Sequence, residues 1–123
     1  GMLSRRQEII RRYNEALATY RTQTLNHLNG DHISSGHLYL VRLLDKSIEK
    51  GIDYHQNGER GIACNVHYKP LPMMTAYKAL GFDIADYPNA YTNTIMDYFT
   101  LTTSLTDEDV EYVISNFVDI ISQ

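Results

Sequence analysis

Apolar residues recur at three- and four-residue steps in two long stretches, one near each end of the chain. The first predicts a helix from Ser4 to about Leu28, opened by a capping box between Ser4 and Gln7. Packing of this helix on the chain's own sheet is favoured, with docking on a partner subunit left open. The second predicts a final helix capped by Thr106, with acidic residues at the positive end of its dipole. The expected buried face of the final helix comprises Val110, Val113, Ile114, Phe117 and Ile121.

Shorter elements are predicted between these two helices. The strand candidates run from His37 to Leu44, from Ile62 to Tyr68 and from Phe99 to Leu101. Weaker helices are expected from Asp45 to about Gly58, from Pro72 to Leu80 with Gly81 as its stop, and from Pro88 to about Tyr98. This order predicts an α/β (α+β) fold in which one domain, residues 1–123, has a small sheet of about three strands covered by helices.

Charge and composition exclude several classes of function. The net charge is −4, and the basic residues are spread along the chain apart from two Arg-Arg pairs, so no coherent basic face for nucleic acid is expected. No apolar run approaches the ~20 residues of a membrane helix, and we expect no membrane partner. The single cysteine, Cys64, fits a cytoplasmic protein. Gly1 before Met2 is typical of tag removal, so we expect Met2 to be the native start and the chain to be a whole gene product.

The reactive side chains form no clear catalytic constellation in the sequence. The histidines lack the i, i+4 spacing of a helical metal site, although His37 and His67 lie on two predicted strands and could converge. Cys64 and His67 are three apart on one strand and point to opposite faces, so Cys64 is predicted to be a small buried hydrophobe. A buried or partner-facing position satisfied by a hydrogen bond is favoured for each histidine. We therefore predict no metal ligand and no catalytic residue.

The run from Asn65 to Pro72 has a different character. It places an amide, an imidazole, a phenol and an ammonium group at the exit of a predicted strand, on Asn65, His67, Tyr68 and Lys69. Strand ends are common places for binding sites, and Lys69 could meet a phosphate or a carboxylate as a point charge. The residues alone leave a polar binding site and a rigid structural turn equally open.

Four stretches of the sequence resemble the DegT/DnrJ/EryC1/StrS family of sugar aminotransferases. They are residues 5–17, 34–43, 59–72 and 105–110, in the family's order, and the third contains the His67-Tyr68-Lys69-Pro70 block. The resemblance implies the C-terminal small domain of a fold-type I aminotransferase, with a mostly antiparallel sheet. It also implies that His67, Tyr68 and Lys69, together with Asn65, contact the substrate.

The resemblance also implies a cofactor that this chain does not hold. Full family members bind pyridoxal phosphate on a large N-terminal domain, through a Schiff-base lysine that has no counterpart here. They transfer an amino group, usually from glutamate, to a keto-sugar on a nucleotide, for cell-surface polysaccharides among other products. We therefore expect a truncated or standalone small domain that is inactive alone, whose partner is a second copy or an aminotransferase large domain. A non-catalytic interaction module and an independent ligand-binding domain are the alternatives.

Overall fold

The architecture is a four-stranded sheet with helices at both ends of the chain. The computed structural model describes residues 1–44, 54–66, 69–92, 97–100 and 104–122. The helices are α1 (Met2–Leu17), α2 (Tyr54–Glu59), α3 (Thr75–Ala79), α4 (Pro88–Thr92) and α5 (Asp107–Ile121). The strands are β1 (Thr22–Thr24), β2 (Leu38–Leu43), β3 (Cys64–Val66) and β4 (Asp97–Thr100), and 3₁₀ turns cover Leu71–Met73 and Ile84–Asp86.

The sheet order is β1-β2-β4-β3, and every neighbouring pair is antiparallel. The central strand β4 is the last in sequence and pairs with β2 on one side and with β3 on the other. This confirms the predicted fold class, an α/β arrangement with an antiparallel sheet. The sheet has one strand more than the three expected, because β1 was not predicted.

The predicted first helix is wrong at both of its ends. The observed helix α1 begins at Met2 and ends at Leu17. Ser4 therefore lies inside the helix and forms no capping box with Gln7. The chain then turns and enters β1, whose Thr22 and Thr24 pair with Leu43 and Val41 of β2. β-Branched threonines suit an extended strand, and the ladder with β2 supplies the hydrogen bonds that would otherwise continue the helix.

The core lies between the two terminal helices and one face of the sheet. Along β2 burial alternates, with Tyr39, Val41 and Leu43 buried and the residues between them half-buried. The same cluster contains four buried residues of α1 and four of α5: Ile9, Ile10, Tyr13, Leu17, Val110, Phe117, Ile120 and Ile121. The predicted face of α5 is thus confirmed for Val110, Phe117 and Ile121, while Val113 and Ile114 are only partly buried against the cluster.

Charged groups join the same two helices at the edge of the core. The Asp107 carboxylate accepts hydrogen bonds from Arg5 at 2.8 Å and from Arg12 at 2.9 Å, and Arg12 also pairs with Glu111. The hydrogen bond from Arg5 is the main reason that the pKa of Asp107 lies below its ordinary value. The acidic first turn of α5 therefore serves as a docking point for α1 as well as a partner of the helix dipole.

The predicted start of α5 is confirmed in detail. The Thr106 hydroxyl accepts from the Asp109 N–H at 3.1 Å, and the Asp109 carboxylate accepts from the Thr106 N–H at 2.9 Å. This reciprocal capping box satisfies two backbone donors that the first helical turn leaves free. The hydrogen bond from the Thr106 backbone also lowers the pKa of Asp109.

The shorter predicted elements are confirmed in kind and corrected in extent. Helix α2 falls at the end of the predicted 45–58 helix, whose residues 45–53 lie outside the described part. Residues 71–73 form a 3₁₀ turn, so α3 begins only at Thr75. Helix α4 is described to Thr92 and Tyr98 lies in β4, so the helix expected to reach Tyr98 ends earlier. Within the described ranges, none of the helices is long and apolar enough to cross a membrane.

Phenylalanine truncation tests where the core lies. Phe117 is 2% exposed and Phe82 is 44% exposed, so Phe117→Ala leaves a cavity whereas Phe82→Ala removes a solvated ring. We expect Phe117→Ala to lower the free energy of unfolding by about 3–5 kcal/mol and Phe82→Ala to lower it by under about 1 kcal/mol. Urea denaturation of both variants measures this, and equal losses would contradict the described core.

Candidate functional site

The candidate site follows strand β3 at one edge of the sheet. Asn65 is the middle residue of β3 and its backbone pairs with that of Tyr98 in β4. His67 and Tyr68 lie outside the described residues, so their predicted role as substrate contacts stays a prediction. Lys69 is exposed, and Pro70 after it is extended, with φ −54° and ψ 140°. The extended backbone ends there, because the Met73 N–H donates to the Pro70 carbonyl at 2.8 Å and closes the 3₁₀ turn.

The entry into β3 is fastened to α5. The Arg60 guanidinium lies 2.8 Å from the Asp119 carboxylate and donates to the Asn116 carbonyl at 3.3 Å. In return, the Tyr112 hydroxyl donates to the Arg60 carbonyl at 2.9 Å. Ile62, two residues further on, is buried in the core. These contacts fix the start of β3 relative to the last helix, and the described Lys69 follows the strand's opposite end.

The exposed segment, which we define as residues 71–92, follows Lys69 directly. It contains both 3₁₀ turns and helices α3 and α4, yet none of its residues is buried. Leu80 is 73% exposed and Tyr91 is 61% exposed. Five further large apolar or aromatic side chains of this segment are also exposed: Leu71, Met74, Tyr77, Phe82 and Tyr87. Exposed apolar side chains are unfavourable in water, so this segment is a candidate interaction surface.

Local hydrogen bonds give part of this segment a defined shape without a core. At the end of α3 the Phe82 N–H donates to the Tyr77 carbonyl at 3.2 Å, and the Gly81 N–H donates to the Lys78 carbonyl at 3.0 Å. Gly81 has φ +90°, the left-handed conformation that the predicted helix stop requires. The rings of Tyr77 and Phe82 pack edge to face across this Schellman motif at 6.2 Å. The rings of Tyr77 and Phe82 are thus ordered by local contacts while they remain exposed to solvent.

Among the other candidate groups, Cys64 behaves as the sequence predicts. Cys64 is buried in the core, as expected for a small hydrophobe. His37 is exposed at the start of β2, and among the described residues no group of His, Cys, Asp and Glu could hold a metal ion. His27 is only 7% exposed, and its Nδ1 lies 2.8 Å from the Ser34 hydroxyl oxygen, which agrees with the buried, hydrogen-bonded role favoured for a histidine, although no local pattern singled out His27 among the histidines.

The described residues do not fit pyridoxal phosphate. The cofactor needs a lysine inside a cavity, with an acidic partner for its ring nitrogen and donors for its phosphate. Lys69 and Lys78 are both exposed. The groove of about 310 Å³ between α1 and Leu28 is lined by no lysine, and the crevice between α1 and α5 is apolar.

The described structure is thus an antiparallel sheet with two terminal helices packed on one face, and apolar side chains are exposed in the segment after Pro70. The family profile of the DegT/DnrJ/EryC1/StrS aminotransferases matches residues 1–118, and this chain belongs to that family. The predicted resemblance is confirmed by this match.

Individual relatives agree with the family assignment. The apo form of Spr1654 from Streptococcus pneumoniae, classed as a sugar aminotransferase, superposes with a TM-score of 0.90 at 41% identity over 98% of this chain. The aminotransferase TlmJ from Streptoalloteichus hindustanus superposes with a TM-score of 0.81 at 28% identity, also over 98% of this chain. The spore coat polysaccharide biosynthesis protein SpsC of Bacillus subtilis (strain 168) is 30% identical over 98% of this chain.

The matches cover only part of each relative. This chain spans 31% of Spr1654 and 32% of both TlmJ and SpsC. Spr1654 has also been solved in a PLP form, in which the matched region is again 31% of that chain. What this chain shares with them is one region of an aminotransferase, with the fold described above.

Removal of the Arg60 side chain tests how β3 is held. Arg60→Ala deletes the ion pair with Asp119 and the hydrogen bonds to Asn116, so we expect a loss of about 1–2 kcal/mol of unfolding free energy. Amide exchange at Cys64–Val66 should accelerate. Lys78→Ala, which alters an exposed cation, is the control and should leave both quantities unchanged. Unchanged exchange in Arg60→Ala would show that α5 does not position β3.

Proposed function

We propose that this chain forms the small domain of a pyridoxal-phosphate-dependent nucleotide-sugar aminotransferase and transfers no amino group alone. The family membership supports the reaction class, and the relatives named above support sugars as the class of acceptor. In such an enzyme, the amino group passes from glutamate to a keto-sugar carried on a nucleotide. The span of about 31% of Spr1654 agrees with a domain rather than a full enzyme.

The observation that carries this proposal is the position of the exposed segment. It begins two residues after Lys69, so the candidate substrate groups and the uncovered apolar surface are adjacent in the chain. A partner that covers residues 71–92 would also stand beside Lys69. The substrate pocket would then form between this domain and the surface that it docks on, which is the natural place for an aminotransferase large domain.

Each predicted site residue has a binding role in this arrangement. Lys69, whose ammonium group is exposed, supplies a positive charge for a phosphate of the nucleotide. His67 and Tyr68 supply hydrogen-bonding groups for sugar hydroxyls, and Asn65 adds an amide. These groups bind and orient the substrate. Amino transfer itself needs pyridoxal phosphate on a lysine of the partner domain, because the described residues offer no place for it.

The absence of independent activity has a direct spectroscopic test. The purified chain is mixed with pyridoxal phosphate and scanned for the absorbance band of an internal aldimine, and then supplied with glutamate and a nucleotide keto-sugar. We expect no lysine-dependent band and no amino-sugar product. A band that disappears in a lysine variant, together with glutamate-driven turnover, would contradict the proposal.

A chimera tests the substrate-binding role. This chain replaces the matching 31% of Spr1654, where the two are 41% identical. We expect Lys69→Ala in the chimera to lower kcat/KM roughly 10- to 100-fold, as for loss of a charged hydrogen bond. Lys78→Ala, also an exposed lysine, is the matched control and should stay within about twofold. Equal effects of the two variants, or none from Lys69→Ala, would remove Lys69 from the site.

A second candidate function, a non-catalytic module that associates with itself, is supported by the same exposed segment. Leu80 and Tyr91 would be covered by a second copy in that case. Light scattering should then show a dimer or larger assembly that Leu80→Glu disrupts. Leu44→Glu, at an apolar position 47% exposed outside the segment, should leave the assembly intact. A monomer at high concentration would exclude this candidate.

A further inference from the structure

The loop of residues 25–36, which joins β1 to β2, is built around a buried histidine. The Ser34 N–H donates to the His27 carbonyl at 2.8 Å, and the Asn29 N–H donates to the His32 carbonyl at 3.1 Å. Leu28 and Ile33 form an antiparallel bridge between these two bonds. The loop therefore closes as a small hairpin, and His27 occupies its base.

The His27 ring is held on one side and left without a partner on the other. Its Nδ1 lies 2.8 Å from the Ser34 hydroxyl oxygen, which also accepts from the Gly36 N–H at 2.9 Å. The ring stacks on Tyr39 at a centroid distance of 6.0 Å and an interplanar angle of 15°. Within the described residues, its buried Nε2 has no hydrogen-bond partner. In either tautomer, the neutral ring therefore leaves one buried nitrogen without a hydrogen bond, and this lowers the stability of the closed loop.

Protonation of the His27 ring makes its buried position in the closed loop less favourable. An imidazolium has N–H donors at both nitrogens, so Nδ1 would need Ser34 to accept, and Nε2 would bury a charged donor that has no acceptor. Burying a charge without a partner is far more costly than burying a neutral group. The closed loop therefore selects the neutral ring, and burial lowers the pKa of His27 below its ordinary value accordingly.

The loop is also fitted tightly to the helix beneath it. Gly36 has φ +62°, and a Cβ placed there would lie 2.8 Å from the Ile10 Cδ1. Ile10 belongs to the core, as does Tyr39, whose hydroxyl donates to the Asn14 side chain of α1 at 2.8 Å. Opening of the loop would consequently uncover the contact between α1 and β2.

We propose that His27 is a pH-sensitive latch whose neutral ring holds the loop of residues 25–36 closed against β2 and α1, and whose protonation releases it. This inference does not depend on the proposed enzymatic function. The open loop exposes the imidazole to water, where a proton binds at the ordinary pKa of 6.5. The pKa of His27 is lower in the closed loop than in the open loop. The closed loop therefore has its full stability above the ordinary pKa of the ring, and this stability falls as the pH drops below that ordinary pKa.

The neighbouring titratable groups do not account for such a change between pH 5 and 7.5. Burial raises the pKa of Tyr39 on β2, and it raises the pKa of Tyr13 on α1 to about 12, so both phenols remain neutral. Other charged or titratable groups near the loop are Arg6, Glu8 and Arg11 of α1 and the exposed Asp31, His32 and His37. His32 is a second histidine within the loop and is exposed, which makes it the natural control.

Amide exchange of the isotope-labelled full chain tests the latch between pH 7.5 and 5.0. The reporters are the amides of Asn29, Ser34 and Gly36, with rates corrected for the intrinsic pH dependence of exchange. We expect opening to rise roughly tenfold for each unit by which the closed loop lowers the pKa of His27. Its midpoint should match the titration of the His27 ring signals. His27→Asn, which keeps a polar atom near Nδ1 and cannot titrate, should abolish the dependence, and His32→Asn should preserve it.

Two results would overturn the proposal. Corrected exchange in the loop that stays constant from pH 7.5 to 5.0 in the unmodified chain would show that protonation opens nothing. A pH dependence that persists in His27→Asn, or that disappears in His32→Asn, would assign it to another group. The comparison of ring titration with loop exchange in the unmodified chain decides the matter even where His27→Asn fails to fold.

Discussion

The packing of the first helix against the last is the contact on which the rest of the structure depends. Residues about a hundred positions apart meet there: Arg5 pairs with Asp107, and apolar residues of α1 and α5 share one cluster with β2. The sheet alone could not supply this core, because the described strands are three to six residues long. Strand β4, at the centre of the sheet, is the last strand before α5, so the sheet and the helix pair are completed together.

That core does not cover the exposed segment. The proposed function rests on this difference between a buried core and an exposed segment. One side of the chain is a closed arrangement of buried residues, while residues 71–92 keep a defined local shape with none buried. Local hydrogen bonds order this segment and leave Leu80 and Tyr91 in water, which is why we propose that a partner surface covers it. Because Lys69 lies next to this segment in the sequence, the exposed surface and the candidate substrate site are neighbours along the chain.

Features with local causes were predictable from the sequence. The capping box of Thr106 and the stop at Gly81 each rest on neighbouring residues, and both are confirmed. Strand β1 was not predictable, because Thr22–Thr24 becomes a strand only by pairing with β2. A buried role was open to every histidine, but the sequence could not select His27, since its burial depends on packing against Tyr39 of another strand. For the candidate site, the sequence proposed the chemical groups, which stay a prediction, and helical periodicity could not show that the residues of the exposed segment are not buried in this chain.

The central claim is that the exposed segment docks on an aminotransferase large domain. Amide exchange across residues 71–92 tests it most directly, measured in this chain alone and after mixing with a separately produced fragment comprising the rest of Spr1654. We expect that the protection of amides in the segment and at Lys69 rises on mixing. Protection in the core around Val110 and Phe117 should stay the same. Unchanged exchange throughout residues 69–92, with the fragment folded and in excess, would contradict it.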